Sequence, residues 1–204
     1  IDILSFAAEA FPDQGITSVR DEGDVSVATY PQVLNRVCRL ANALRSLGVA
    51  PGDRIATLAW NGQRHFELYY AIAGLGAVCH TVNPRLPAEQ MHYILHHAQD
   101  RLIFVDLSLV PLIEALAHDL PEGCRVVVMC DAGHMPDTSF DALCYETLIE
   151  AEGAEIEWPD FPETTAAGLC YTSGTTGNPK GALYSHRSVV LHALMVVAGH
   201  PRSL

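Results

Sequence analysis

Short apolar runs alternate along the chain with longer segments in which apolar residues recur every three or four positions. Residues 125–130 and 167–171 are nearly continuous apolar runs of strand length, as expected for strands that are buried on both faces. Residues 31–47 carry a helical stripe of apolar side chains, and Gly48 follows at the position that glycine prefers after a helix. The same reasoning predicts strands at 25–30, 55–60, 77–82, 101–106 and 181–185 and helices at 63–75, 88–98, 110–119, 141–151 and 187–198.

The order of these elements indicates the fold class. Strands that alternate with helices of this length predict an α/β fold with a largely parallel sheet. Residues 1–24 are mixed in character, with a polar turn at 20–24, and residues 152–165, rich in acidic residues and proline, predict a surface connection. Ligands of such sheets bind beyond the carboxyl ends of the strands. A binding site is therefore expected in the segment that follows the apolar run 167–171.

That segment, Thr172–Gly181, combines glycines, hydroxyl side chains and one lysine. Glycines allow backbone N–H groups to converge on an anion, hydroxyls donate to phosphate oxygens or ligate a hard cation, and Lys180 adds a full charge. The pattern predicts a polyphosphate site rather than a surface loop. It does not match G-x-x-x-x-G-K-[ST], because two residues separate Gly177 from Lys180 and Gly181 follows the lysine.

Composition restricts the partners of this site. The net charge of −12 argues against nucleic acid or an anionic membrane as a partner, so attraction for a polyanion must come from local groups. No apolar run is long enough to predict a membrane span. The six cysteines form no C-x-x-C pair and lie mostly in apolar runs, which favours reduced thiols in a cytoplasmic protein.

The loop and its flanks also resemble a known family. Residues 169–181, Leu-Cys-Tyr-Thr-Ser-Gly-Thr-Thr-Gly-Asn-Pro-Lys-Gly, resemble the AMP-binding signature of the adenylate-forming superfamily. Residues 184–192, 58–61 and 80–86 resemble its fatty acyl-CoA synthetase branch, and the resemblance extends from about residue 27 onward. It implies that residues 1–204 are part of the large N-terminal domain, an αβαβα fold with largely parallel sheets. The remainder of that domain and the small C-terminal domain would lie outside this chain.

The resemblance implies an activity and a set of site residues. Members activate a carboxylic acid with ATP through an acyl-adenylate, release pyrophosphate, and pass the acyl group to coenzyme A. Lys180 and Thr175 would be catalytic, and the Thr175 hydroxyl would approach Mg²⁺. The residues implied to hold the phosphates are Thr172, Ser173, Gly174, Thr175, Thr176, Gly177 and Lys180. The expected substrate is a short- to medium-chain fatty acid, a homodimer is compatible with the resemblance, and the segment alone is expected to be inactive.

Two alternatives to this acyl-CoA ligase remain. One is a non-catalytic module, derived from the same fold, that binds nucleotide or a partner protein. The other is an adenylating enzyme that loads a carrier protein instead of coenzyme A. The intact loop favours an enzyme, because a binding remnant has little need for both Lys180 and Thr175.

Histidines outside the loop are weaker candidates. His92 and His96 lie four apart on a predicted helix beside His97, but H-E-x-x-H is absent, and an exposed helix face is favoured over a metal site. His186 and His192 follow the loop, where they would line the carboxylate side of the site or pack on the next helix.

Four further side chains are given structural rather than functional interpretations. Trp60, Tyr69 and Tyr70 are expected in the core, and Arg85 is expected to form a structural salt bridge. None of these four is included among the predicted site residues.

Overall fold

The fold is α/β, as predicted, and a computed structural model describes residues 1–172 and 178–199. The helices are α1 (Asp2–Ala10), α2 (Tyr30–Ser46), α3 (Gln63–Gly74), α4 (Ala88–Ala98), α5 (Val110–Glu114), α6 (Tyr145–Glu150) and α7 (His186–Gly199). The strands are β1 (Gly15–Val19), β2 (Val25–Thr29), β3 (Arg54–Leu58), β4 (Val78–Thr81), β5 (Leu102–Asp106), β6 (Arg125–Met129), β7 (Ala142–Cys144), β8 (Ala166–Thr172) and β9 (Lys180–Ser185).

The main sheet has the strand order β7-β6-β5-β3-β4-β8-β9. Every neighbouring pair is parallel except β8 and β9, which are antiparallel, and β1 and β2 form a separate antiparallel hairpin. From β3 the chain passes through α3 to β4 on one side, whereas β5 pairs with β3 on the other. The strand order therefore reverses between β3 and β5, and crevices form at such positions.

The core lies on both faces of this sheet. Leu102 and Phe104 point to the layer formed by α1, α2, α3 and α6, whereas Ile103 and Val105 point to the layer formed by α4 and α5. All four side chains are buried because both faces of the strand are covered. This two-sided burial explains the nearly continuous apolar runs from which the strands were predicted.

Some predicted elements are wrong in part. A helix was predicted at 141–151, but Ala142–Cys144 is an edge strand that pairs with β6, and the helix begins at Tyr145. The predicted helix at 110–119 ends at Glu114 and is followed by a single 3₁₀ turn at Ala117–Asp119. The mixed region 1–24 contains α1 and β1, neither of which was predicted.

A network of charged side chains is buried between α2, α3 and α6. Arg36 contacts both Glu67 and Glu146, with nitrogen–oxygen distances of 2.6 and 2.9 Å, and the Glu67 side chain is fully buried. The Tyr145 hydroxyl donates to Glu67 at 2.6 Å, and Arg64 donates to Glu146 at 2.8 Å. Each buried carboxylate thus has several donors, which offsets part of its desolvation cost.

Residues 152–165 form the predicted connection, without helix or strand, and part of it packs on the body. Trp158 covers Gly74, where an added Cβ would lie 2.5 Å from the indole ring. Phe161 similarly covers Gly76, whose φ of 72° is a conformation that glycine adopts easily. Among the described residues, no helix combines the length and the apolar character needed to cross a membrane.

Candidate phosphate-binding site

The predicted phosphate loop connects β8 to β9. Five of its predicted site residues, Ser173, Gly174, Thr175, Thr176 and Gly177, lie outside the described residues. The other two, Thr172 and Lys180, are register partners at the open end of the antiparallel pair. The Thr172 hydroxyl donates to the Lys180 carbonyl at 3.4 Å.

Both described site residues are exposed to solvent. Within 1–172 and 178–199, no carboxylate lies within ion-pair distance of the Lys180 ammonium. The strand pairing therefore places a hydroxyl and an unneutralised cation side by side at the base of the loop. An anion that occupied the loop would meet both groups.

Gly181 is required for the close packing of the two strands below the loop. A Cβ added at Gly181 would lie 3.1 Å from Leu169 Cδ1 and 3.3 Å from the Tyr171 ring. The glycine thus allows β9 to lie against the side chains of β8. Pro179, beside it, is buried and ends the loop with a fixed φ.

The direction of β8 places the base of the loop, Thr172 and Lys180, at the carboxyl edge of the sheet. β8 runs parallel to β4, with His80 opposite Leu169 and Thr81 opposite Cys170. Loops that follow parallel strands on one sheet end at the same edge. The base of the loop thus lies at the carboxyl end of β8, as predicted, but this strand is buried only at Ala167 and Leu169 rather than along its whole length.

Side chains of neighbouring elements hold the end of β8 in place. The Tyr171 hydroxyl lies 2.6 Å from Nδ1 of His97 on α4, and the Thr81 hydroxyl lies 3.0 Å from the Cys170 thiol. Desolvation raises the pKa of Tyr171, so its hydroxyl stays protonated at neutral pH. The strand that leads into the loop is therefore fixed on two sides.

A buried histidine and aspartate lie under the same strand. Nδ1 of His80 is 2.8 Å from Oδ2 of Asp100, and both side chains are fully buried. Desolvation raises the pKa of Asp100, although its contact with His80 opposes that shift. The His80 ring lies 5.2 Å from the Tyr171 ring, centroid to centroid. This pair ties β4 to the turn after α4, directly beneath β8.

The histidines that follow the loop differ in environment. The His186 ring packs on Phe161 at 4.8 Å, centroid to centroid, and burial lowers its pKa. Packing is therefore the role the described residues support for His186. His192 is exposed on α7.

Three of the structural interpretations are wrong. Trp60 and Tyr69 are 43% and 45% exposed rather than in the core, whereas Tyr70 packs against it as predicted. Arg85 is exposed, and within the described ranges it has no carboxylate in salt-bridge distance. Its backbone N–H instead donates to the Asn83 side chain at 3.0 Å.

A cleft of about 590 Å³ that no sequence pattern predicted lies at the reversal of strand order. Trp60, after β3, and Asp106, at the end of β5, line it, and the Trp60 N–H donates to Asp106 at 2.6 Å. Desolvation raises the pKa of Asp106 to about 6. Asp106 is a polar residue at the end of an apolar run, and this signal could have drawn attention to the cleft.

Comparison with known proteins agrees with this arrangement. The family model described as AMP-binding enzyme matches residues 5–202. The 3-methylmercaptopropionyl-CoA ligase of Ruegeria lacuscaerulensis is 45% identical over 196 residues, which cover 94% of this chain and 36% of the relative. The medium-chain-fatty-acid–CoA ligase of Ectopseudomonas oleovorans is 42% identical over 193 residues, which cover 94% of this chain and 35% of the relative.

A solved structure shows the same fold. The anthranilate CoA ligase AuaEII, crystallised with anthranoyl-AMP, superposes with a TM-score of 0.80 at 25% identity, covering 94% of this chain and 36% of that one. This chain thus spans about a third of the length of the proteins it matches. Because the family model matches nearly all of it, the chain belongs to the AMP-binding enzyme family.

Proposed function

We propose that this chain is the phosphate-binding part of an acyl-CoA ligase. The ligase would join a carboxylic acid to ATP as an acyl-adenylate, release pyrophosphate, and transfer the acyl group to the thiol of coenzyme A. One observation carries the proposal. In a chain that matches the AMP-binding family over 5–202, Thr172 pairs with Lys180 at the carboxyl edge of a largely parallel sheet, and within 1–172 and 178–199 no carboxylate neutralises Lys180.

Formation of the acyl-adenylate does not require the protein to transfer a proton. A carboxylate is ionised at neutral pH and attacks the α-phosphorus without a general base, while the bond to pyrophosphate breaks. The protein must align the two reactants and offset charge on the phosphates. Lys180, the Thr172 hydroxyl and the loop residues 173–177 would provide that charge and those donors.

The proposal includes Mg²⁺, for which the donor chemistry is suitable. Hydroxyl oxygens are hard ligands of the kind Mg²⁺ accepts, and Thr172, at the base of the loop, is exposed to solvent. Thr175 is the residue proposed to hold the ion. When bound, Mg²⁺ would neutralise charge on the phosphate oxygens.

The proposed substrates are short- to medium-chain fatty acids, and the proposed compartment is the cytoplasm. The names of two relatives support the first, since one is a 3-methylmercaptopropionyl-CoA ligase and the other a medium-chain-fatty-acid–CoA ligase. The six free cysteines support the second, because free thiols persist in reducing compartments. A panel of acids of increasing chain length would test the substrate class, and a preference for long chains would contradict it.

ATP binding tests the role of Lys180 directly. We expect Lys180→Ala to weaken ATP binding by about 10- to 100-fold, because a charge-assisted hydrogen bond contributes about 1.5–3 kcal/mol. Isothermal titration calorimetry at fixed Mg²⁺ would measure the change. Arg187→Ala is the matched control, since Arg187 is an exposed cation that follows the end of β9 opposite the loop and pairs with Glu163 at 2.5 Å, so its removal should have little effect.

Catalysis is tested in a protein of the relatives' length that carries this chain. We expect carboxylate-dependent exchange between ATP and pyrophosphate, lost in Lys180→Ala and retained in Arg187→Ala. ATP binding without any exchange would overturn the ligase proposal in favour of a binding module. Exchange with transfer to a carrier protein but not to coenzyme A would favour the carrier-loading alternative.

A further inference from the structure

Two histidines of α4 and one aspartate of a distant turn form a cluster away from the phosphate loop. His92 and His96 lie one helical turn apart, with ring centroids separated by 4.4 Å. Asp119, in the turn that follows α5, faces both of them. One donor atom from each of the three residues lies within 4.8 Å of the others.

The distances are close to those of a coordination sphere. Nε2 of His92 lies 2.7 Å from one carboxylate oxygen of Asp119, and Nε2 of His96 lies 3.7 Å from the other. Tetrahedral bonds of about 2.0–2.1 Å to nitrogen and oxygen place neighbouring ligand atoms roughly 3.3–3.5 Å apart. The Asp119 side chain is 70% exposed, so a shift of less than about 1 Å is unobstructed by packing.

The state of the His92 nitrogen points to a missing partner. Nε2 of His92 is shielded from solvent and, within the described residues, has no hydrogen bond of adequate geometry, although Asp119 is near. A shielded polar nitrogen normally has a partner. A cation between the two groups would provide that partner and would also pair with the Asp119 carboxylate. Nε2 of His96 donates to the Asp119 carbonyl at 2.9 Å, and on metal binding it would lose that proton and exchange this hydrogen bond for the metal.

A second cluster of possible ligands differs because arginines pair with its carboxylates. Glu22, Asp131 and His134 also bring their donor atoms together. However, Arg64 contacts Glu22 and Asp131 at 2.8 Å each, and Arg20 contacts Asp131 at 3.0 Å. The two guanidinium groups pair with these carboxylates and repel a cation, although Oε2 of Glu22 has no partner within the described residues. No arginine or lysine is paired with Asp119 within the described residues.

We propose that His92, His96 and Asp119 bind a divalent transition metal, with Zn²⁺ as the best match. Imidazole and carboxylate ligands suit Zn²⁺, whereas Mg²⁺ prefers oxygen ligands alone. Three protein ligands leave one position for water. The metal would link α4 to the turn after α5. On the same helix, His97, the residue after His96, contacts Tyr171 at the end of β8. The inference is independent of the proposed ligase activity.

The sequence alone favoured an exposed helix face here. The pair of histidines is visible in the sequence, but the third ligand comes from 23 positions beyond His96. The side-chain contact between α4 and the turn brings it into reach. A search for ligands at helical spacing therefore finds the two histidines but not Asp119.

Zinc titration of the protein, produced without a histidine tag and stripped with EDTA, tests the site. We expect one Zn²⁺ to bind, and His92→Ala, His96→Ala and Asp119→Ala each to weaken binding by at least about 10- to 100-fold. His97→Ala is the matched control, because this ring on the same helix faces Tyr171, and it should bind zinc as the unaltered chain does. Far-UV circular dichroism without metal establishes that each variant is folded.

Two further readouts distinguish a built site from surface adsorption. Co²⁺ should give visible absorption typical of four-coordination, and that absorption should disappear in the His92→Ala and His96→Ala variants. Zn²⁺ should raise the melting temperature of the unaltered chain and of His97→Ala but not of the three ligand variants. Equal zinc affinity in folded ligand variants and in the unaltered chain, or an equal loss in His97→Ala, would overturn the proposal.

Discussion

The main sheet with its covering helices, here called the body, buries its apolar side chains, whereas α7, which follows β9, exposes them. In the body, helices cover both faces of β3, β5 and β6, and residues such as Leu40 and Phe104 have no exposed surface. In α7 no residue is buried, and Leu194 and Met195 are 59% and 72% exposed. The two regions have similarly apolar sequences but different surroundings.

This difference shows that a segment can be helical without burying its apolar side chains in the described part of the chain. The apolar residues of α7 are distributed around the whole helix rather than along one stripe, a pattern typical of helices that are covered on all sides. The described residues do not supply that cover. The body therefore has a buried core that stabilises it, whereas α7 buries no residue against the rest of the described chain.

The largest test of this comparison removes a buried charge from the body. Glu67→Ala should lower the free energy of unfolding by about 3–5 kcal/mol. The Tyr145 hydroxyl would lose its acceptor, and Arg36 would lose one of its two carboxylate partners and keep only Glu146. Chemical denaturation monitored by circular dichroism would measure the loss. The matched control is Glu163→Ala in the exposed pair with Arg187, expected to cost less than about 1 kcal/mol. Similar losses in both variants would mean that the body is not the more strongly stabilised region.

A smaller and opposite effect is expected at Asp106. Its pKa is raised from 3.8 to about 6 in the folded chain, so the folded state binds more protons than the unfolded state between these values. The contribution of Asp106 to stability should therefore fall as pH rises from about 4 to about 6. Asp106→Asn removes this dependence and should raise the free energy of unfolding at pH 7.5 by about 1–2 kcal/mol.

Unfolding measured across this pH range would check the prediction for Asp106. The exposed Asp13 provides the control, since Asp13→Asn removes a carboxylate outside the cleft. The Asp13 variant should keep the pH dependence of the unaltered chain. Loss of stability at pH 7.5 in Asp106→Asn would contradict the assigned cause.

The smallest effect is expected in α7. Leu194→Ala should change the free energy of unfolding by less than about 0.5 kcal/mol, because the side chain is already exposed. The same substitution at the fully buried Leu40 should cost about 2–5 kcal/mol. Parallel denaturation curves for the two variants sharpen the comparison, and a loss at Leu194 equal to that at Leu40 would show that α7 is covered.

Elements with strong local signals were predictable from the sequence. The helix predicted at 88–98 has those bounds, and the strand predicted at 101–106 begins one residue later than predicted, because periodicity and terminal residues both favour them. The short strand β7 was missed, since its three residues are defined by pairing with β6 rather than by a pattern of their own. Local sequence cannot reveal a partner strand.

The candidate site was predictable in part for the same reason. The order of hydroxyls, glycines and Lys180 is a local pattern, and the structure supports its position for Thr172 and Lys180. The supports beneath it are long-range, since His97 meets Tyr171 from 74 positions away. Such contacts arise from topology, and no spacing in the sequence indicates them.

Lys180 is the sole lysine of the sequence, since the other eleven of its twelve basic residues are arginines. Reagents that alkylate side-chain amines but spare guanidinium groups should therefore modify this chain at the exposed base of the phosphate loop. Reductive methylation with ¹³C-labelled formaldehyde would convert this side-chain amine to a labelled dimethylamine, together with any free N-terminal amine. The resonance of the Lys180 methyl groups would then report on phosphate, nucleotide or metal at the loop without any further engineering of the chain.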